Sequence, residues 1–419
     1  MMANGYIKRA IEETIVKAGQ SFPCVVVYGP RQVGKSTTID HLFGEGFNKV
    51  TMDDPDDRLL AVENPKLFLE RYECPLVIDE IQKAPVLLDE IKKAIDAERL
   101  RLMKNGGERK LMYILTGSNR YELQQGISDS LAGRCGIVEM ASFMQAEKEL
   151  REIQPFSPTM DYWIRQEKNI KKRKTRREVF EAIFMGGMPD VCTGVSERGV
   201  YYRAYVNTYL EKDVMKLIEA SSEMQFRLFL SIVALRTAQE LHYDEIAKAV
   251  GIDVRTCKRW ISILQTSGIV YLLQPYLANL SKRIVKAPKL YFMDTGLCAY
   301  LCKWPNAEML ENCAMSGAFL ETFVVSEIIK NCFAYGVDAN TKLYYYRDVD
   351  QKEIDLLYLE GEDSYPIEIK KGITPTKPTK HFSVMKSLNV TLRPGIVFDN
   401  TDRVRPINEG AFCVPFSLL

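Results

Sequence analysis

The chain has 419 residues, more than one ordinary hydrophobic core accommodates, so two or three domains are expected. Its 56 Lys and Arg nearly cancel 55 Asp and Glu, which excludes overall charge as the basis of any attraction to nucleic acid; that has to come from local clusters. Ten cysteines are scattered among only three histidines, and the close pair Cys298 and Cys302 has no second pair beside it, which argues against a structural zinc and for free thiols in a reducing compartment.

The opening segment MMANGYIKRAIEETIVKAG carries charge throughout and reads as an amphipathic helix, not as a secretory signal. No apolar run is long enough to span a bilayer, so a cytoplasmic protein with no membrane partner is expected. Between residues 20 and 142 short apolar runs alternate with helical stretches. The runs CVVVYG (24–29), KVTMDD (49–54), PLVIDE (75–80), KLMYILTGS (110–118) and GIVEMA (136–141) predict a parallel sheet covered by helices on both faces.

After the first of these runs, GPRQVGKST (29–37) fits the pattern G-x-x-x-x-G-K-[ST] between an apolar strand and a helix. The loop formed by Gly29, Pro30, Arg31, Gln32, Val33 and Gly34 is expected to curl its backbone around phosphates, and the next helix adds its unsatisfied N–H donors. In this reading Lys35 neutralises β- and γ-phosphate charge, Ser36 ligates Mg²⁺, and Thr37 meets an α-phosphate. ATP and Mg²⁺ are therefore the expected cofactors. PLVIDE ends its strand in Asp79, placed for the Mg²⁺ shell, and Glu80, placed to polarise an attacking water; the pair favours hydrolysis over transfer to a second substrate. ILTGSN ends in Ser118 and Asn119, which either sense the γ-phosphate and orient water or merely end a strand. Arg134, in SLAGRCG, either reaches a neighbouring subunit's γ-phosphate, which requires a homo-oligomer, or pairs with a local carboxylate.

The run RQEKNIKKRKTRRE (165–178) marks a surface helix or linker, with a solvated face favoured over a phosphate contact. From 178 to about 300 the pattern is mostly helical. Residues 243–276 read as helix, turn at Gly251, second helix capped by Asp253 and closed at Gly268, then a strand. Ile246 and Val250, with Val254, Cys257, Ile261 and Leu264, are the expected apolar faces. This is a winged-helix layout, with Arg255, Lys258 and Arg259 facing DNA or merely solvent. Beyond 317 a helix (317–333) and strands near 342–347, 353–359, 365–370 and 395–399 predict a mixed α/β unit.

Taken in order, GPRQVGKST, LVIDEIQKAP, ILTGSN, SLAGR, GGMPDV (186–191), YLEKDV (209–214), KLYFMDTGL (289–297), GAFLETFVVSEI (317–328), YYYRDVDQKEIDLL and PIEIKKG resemble one family over nearly the whole chain. It is the bacterial and archaeal AAA-type ATPases that end in a domain of uncharacterised function with a restriction-endonuclease-like fold. The resemblance implies a five-stranded parallel sheet followed by a winged helix. It also implies a nuclease-type centre of Glu321 on a helix, Asp355 on one strand, and Glu368 with Lys370 on the next. In such centres carboxylates hold Mg²⁺ at a scissile phosphate and the lysine steadies developing charge. Ordinary strands with charged edges carry the same residue types.

The expected fold is thus α/β and multidomain: a parallel-sheet P-loop AAA-type ATPase core (1–150), a helical linker or lid (151–235), a winged helix (236–300) and a restriction-endonuclease-like α/β domain (301–419). The expected function is an ATPase acting on DNA. The alternative is a nucleotide-gated regulatory module whose C-terminal domain binds a partner without cutting it.

Overall fold

The computed structural model describes residues 5–118, 130–170, 172–210, 223–276, 287–372, 377–388 and 390–419. Its first sheet contains β1 (Cys24–Tyr28), β2 (Asn48–Thr51), β3 (Leu76–Asp79), β4 (Tyr113–Gly117) and β5 (Cys135–Glu139). All neighbours are parallel, in the order β2-β3-β4-β1-β5. Side chains alternate across this sheet. Val26, Ile78 and Leu115 pack with Ile91 and Ile95 of the helix Leu87–Asn105 on one face, while Val25, Val27 and Ile114 enter the core on the other. Every residue of β1 is buried, which explains its unbroken apolar sequence.

The middle of the chain is helical around a small antiparallel sheet of β6 (Gln239–Glu240), β7 (Val270–Leu273) and β8 (Lys289–Phe292), with β8 central. Helices Tyr243–Val250 and Val254–Thr266 are separated at Gly251, whose φ of 78° suits glycine. The Asp253 carboxylate accepts the Thr256 N–H at 2.9 Å, capping the second helix. That helix buries Cys257, Trp260, Ile261 and Leu264, and Trp260 meets Phe226 and Phe229 edge-on. Val254, expected on the apolar face, is instead 41% exposed at the first position of the helix, and the buried stripe begins at Cys257.

The last part is a mixed sheet of β9 (Leu343–Arg347), β10 (Glu353–Glu360), β11 (Asp363–Ile369), β12 (Thr391–Leu392), β13 (Gly395–Asp399), β14 (Arg405–Asn408) and β15 (Ala411–Pro415). Its path is β14-β15-β13-β11-β10-β9, with β12 beside β11. The helix Ser316–Ala334 packs against it and is buried along most of its length, including Phe319, Leu320, Val324 and Ile328. The three parts are not separate globules. One continuous apolar core runs from Val25 and Val27 through Phe226, Trp260 and Leu290 to Phe319, Ile367 and Phe398. Backbone bonds also join the end of the middle sheet to β9, from Tyr276 N–H to Tyr345 O at 2.6 Å and from Tyr345 N–H to Gln274 O at 3.1 Å.

Candidate functional site

The loop Gly29–Gly34 leaves β1 and enters the helix Lys35–Phe43. Two glycines make it possible. A Cβ on Gly29 would lie 1.9 Å from the Met140 carbonyl oxygen, and Gly34 has φ 93°. Arg9 braces the loop from beneath, donating to Val33 O at 2.9 Å while pairing with Glu147 at 3.1 Å. Lys35 is 6% exposed, and its ammonium donates to Gly29 O at 2.9 Å and Pro30 O at 2.8 Å. Burial pulls this ammonium down to about 8, against the opposing pull of Glu80 and Asp79. Ser36 and Thr37 are exposed and line a cavity of about 480 Å³ shared with Asp79 and Thr116.

Because β4 lies between β1 and β3, its Thr116 bridges the two halves of the site. The Ser36 hydroxyl donates to Asp79 at 3.0 Å, and the Thr116 hydroxyl donates to the same carboxylate. Glu80 turns into the left-handed region at φ 56°, where its N–H donates to Thr116 Oγ1 at 3.3 Å. Its carboxylate accepts from Ser118 at 3.2 Å and from Gln82. The structure thus brings Lys35, Ser36, Asp79, Glu80 and Ser118 together. A buried lysine without a carboxylate partner, a glycine cradle and a Ser–Asp pair form a donor set that fits a magnesium nucleotide. Asn119 lies outside the described residues. Arg134 pairs within the chain, Nε and Nη2 reaching the two oxygens of Asp96 at 2.8 and 2.9 Å.

The basic run is largely occupied. Arg173 pairs with Glu167, Lys172 with Glu178, Lys174 with Glu149, Arg176 with Glu311 and Arg177 with Glu181. Arg255, Lys258 and Arg259 all stand exposed on the second helix of the middle part.

At the C-terminal end, β10 and β11 pair antiparallel with Leu356 opposite Ile367, so Asp355 comes beside Glu368. The Asp355 carboxylate accepts the Ile369 N–H at 2.8 Å, and Lys370 contacts Glu368 and, at 3.6 Å, Asp355. Burial lifts Glu368 to about 8, reinforced by Asp355. Burial opposes charge on Lys370, yet Asp355 and Glu368 outweigh it and hold its ammonium above the usual value. Glu321, from the helix Ser316–Ala334, is lifted to about 7 by burial, with Lys289 opposing and Asp355 reinforcing. Its carboxylate accepts from Lys289 at 2.9 Å and from the Tyr291 hydroxyl at 2.7 Å. Among the described residues no three His, Cys, Asp or Glu side chains converge as a metal-binding group. Lys370 stands beside Asp355 and Glu368, where the expected centre also places a lysine, whereas Glu321 is engaged by Lys289.

Five participants escape a sequence reading: Arg9, Gln82, Thr116, Lys289 and Tyr291. Thr116 had a signal, since ILTGSN ends the strand beside the acidic one. Lys289 had none, because KLYF reads as a strand beginning with a solvated lysine.

Family models match three successive segments. Residues 21–148 match an AAA domain, residues 176–308 the domain of unknown function DUF8612, and residues 316–419 the domain of unknown function DUF4143. The N-terminal segment is accordingly an AAA-type P-loop ATPase domain. Over the longer span, the chain is 26% identical to the uncharacterized proteins Rv2008c of Mycobacterium tuberculosis and Mb2031c of Mycobacterium bovis, across 94% of its own length and 80% of theirs. Among solved structures, the Walker-type ATPase PABY2304 of Pyrococcus abyssi aligns at 14% identity and TM-score 0.41, covering 70% of this chain and 94% of that one. The ORC2 protein of Aeropyrum pernix aligns at 11% identity and TM-score 0.31, covering 77% and 93%. All ten cysteines are unpaired, and no described helix is long and apolar enough to cross a membrane.

Proposed function

We propose that this protein binds and hydrolyses ATP in its N-terminal domain and uses the nucleotide state to govern how its middle and C-terminal parts engage DNA. The observation that carries the reading is the Ser36–Asp79 pair lining one open cavity, with Lys35 buried in the glycine loop beside it and Glu80 next to Asp79 at the end of β3. When bound, Mg²⁺ would sit with Ser36 and Asp79 and offset phosphate charge. Lys35 exchanges its two carbonyl partners for phosphate oxygens. Glu80, steadied by Ser118 and Gln82, orients a water at the end of β3. Arg255, Lys258 and Arg259 supply the phosphate-facing charge of a winged helix, and Arg134 acts across a homo-oligomer only by leaving Asp96.

Phosphate release tests this directly. The wild type is expected to turn over ATP, Lys35→Ala to lose nucleotide binding, and Glu80→Gln to bind ATP and hold it. Turnover unchanged in both variants would defeat the proposal. DNA engagement is read from the salt dependence of binding, which should be steep and should flatten in the Arg255→Ala/Lys258→Ala/Arg259→Ala variant. A second reading is favoured by the pairing of Lys289, a cation outside the expected centre, with Glu321 and Glu353: the C-terminal domain binds its partner without cutting it. Incubating labelled DNA with Mg²⁺ or Mn²⁺ separates the two, since strand scission lost in Glu368→Ala excludes the second.

A further inference from the structure

The acidic centre is not built by the C-terminal sheet alone. Lys289 and Tyr291 belong to β8 of the middle sheet, yet both reach into it. Lys289 is 3% exposed and touches two carboxylates, Glu321 at 2.9 Å and Glu353 at 2.5 Å. A lysine so buried is held only because its partners are matched to it in charge and position. Glu353 is shared with Arg347, which also contacts Glu240, so the ion network spans the middle and C-terminal sheets.

The other end of β8 is hydrogen-bonded to two segments that pack beside the phosphate loop, which gives two routes toward it. Immediately after the strand, Asp294 accepts the Gly187 N–H at 2.7 Å and the Tyr202 hydroxyl at 2.8 Å. Gly187 belongs to the GGMP turn, whose Pro189 Cγ lies 4.0 Å from the position a Cβ on Gly34 would take. That turn has no slack: a Cβ on Gly186 would meet the Tyr202 hydroxyl at 2.5 Å, and one on Gly187 would meet Phe143 O at 2.4 Å. The second route runs from Met293 N–H to Ile269 O at 3.0 Å, and next to it a Cβ on Gly268 would lie 2.9 Å from Pro30 Cγ. Pro30 is one of the two residues whose carbonyls hold Lys35.

We infer that Lys289 is a positioning residue that closes the acidic centre as its built-in cation, on a strand whose far end is set by the phosphate loop, so that nucleotide binding withdraws it. The inference rests on the ATP-binding reading. Phosphates that draw Lys35 from Gly29 O and Pro30 O free the loop that touches Gly268. A cavity of about 480 Å³ lined by Pro30, Gly268 and Met293 gives the loop room to move, and β8, buried along its whole length, carries such a shift as a unit. Glu321 then loses its cation, Glu353 keeps only Arg347, and the centre becomes available to a cationic ligand or a new partner.

The test is the reactivity of the Lys289 amine in the full-length protein. A brief pulse of an amine-acylating reagent, read by mass spectrometry, is compared without nucleotide and with a slowly hydrolysed ATP analogue and Mg²⁺. Exposed Lys66 serves as the internal standard, and bound nucleotide is measured in the same samples after rapid gel filtration. Without nucleotide Lys289 should label at least tenfold more slowly than Lys66, and with it the rate should rise at least tenfold. Asp294→Asn, which weakens the first route and leaves the second, should reduce that rise to about half. Bound nucleotide with an unchanged Lys289 rate overturns the inference and leaves the ATP-binding reading standing. Absence of bound nucleotide removes the reading and the inference together.

Discussion

At the phosphate loop a buried lysine has only two backbone carbonyls for partners, whereas at the acidic centre Lys289 and Lys370 are each gripped by two carboxylates. The first arrangement leaves a cation unsatisfied and waiting for an anion. The second has already met its own electrostatic demand. Burial of charge costs free energy in both places, but the acidic centre offsets it with direct ion pairs, the phosphate loop only with the more distant pull of Glu80 and Asp79. A charged cluster is therefore poor evidence for a ligand until its internal counter-charges are counted.

This contrast can be broken by experiment. The largest expected effect is on turnover: Lys35→Ala should lower ATP hydrolysis by at least about 1,000-fold, roughly 4 kcal/mol of barrier, without lowering the melting temperature. Lys289→Met should do the reverse in thermal melts, costing about 3 kcal/mol of stability because Glu321 and Glu353 lose their shared cation. Adding Glu321→Gln should recover a large part of that loss. Equal destabilisation by both lysine variants would erase the distinction between the sites.

A smaller effect, on the order of 1–3 kcal/mol, is expected from pH. Below about 4.5 Glu368 is protonated in both the folded and unfolded chain; between 4.5 and about 8 the folded form keeps a proton that the unfolded form has lost. Stability should therefore fall as pH rises through that window and level off above it. Denaturant titrations at pH 5 and pH 8 measure the fall, and Glu368→Gln should reduce it, leaving the part that Glu321, lifted to about 7, contributes. The smallest effect belongs to Arg134→Ala. Its bidentate pair with Asp96 is half-buried at the surface, so at most a small loss of stability is expected in melting. A loss of turnover in that variant that deepens with protein concentration would show the arginine working between subunits.

Legibility in the sequence followed the range of the interactions. The five strands of the first sheet were predicted from their apolar runs, though KVTMDD shrinks to Asn48–Thr51 because the chain turns off at Met52 toward the helix capped by Asp54. GPRQVGKST was legible as a phosphate-binding pattern because its glycines, lysine and serine lie within nine residues. The short strands Thr391–Leu392, Arg405–Asn408 and Ala411–Pro415 were missed. They are two to five residues long, and only their pairing with distant strands defines them. Lys289 was illegible for the same reason. Its partners Glu321 and Glu353 lie 32 and 64 positions away, and nothing local distinguishes it from a surface lysine.

The continuous apolar core has a consequence for cooperativity. Chains of this length usually melt in stages, each domain at its own temperature. Here removing one segment strips apolar cover from the next, so the ATPase fold, the middle helices and the last sheet are expected to unfold in a single transition. Any ligand that favours the native state then stabilises all of it, by RT ln(1 + [L]/Kd), wherever it binds. One tryptophan signal from Trp260 or Trp163, both far along the chain from the phosphate loop, would report nucleotide occupancy as a shift of the whole melting curve.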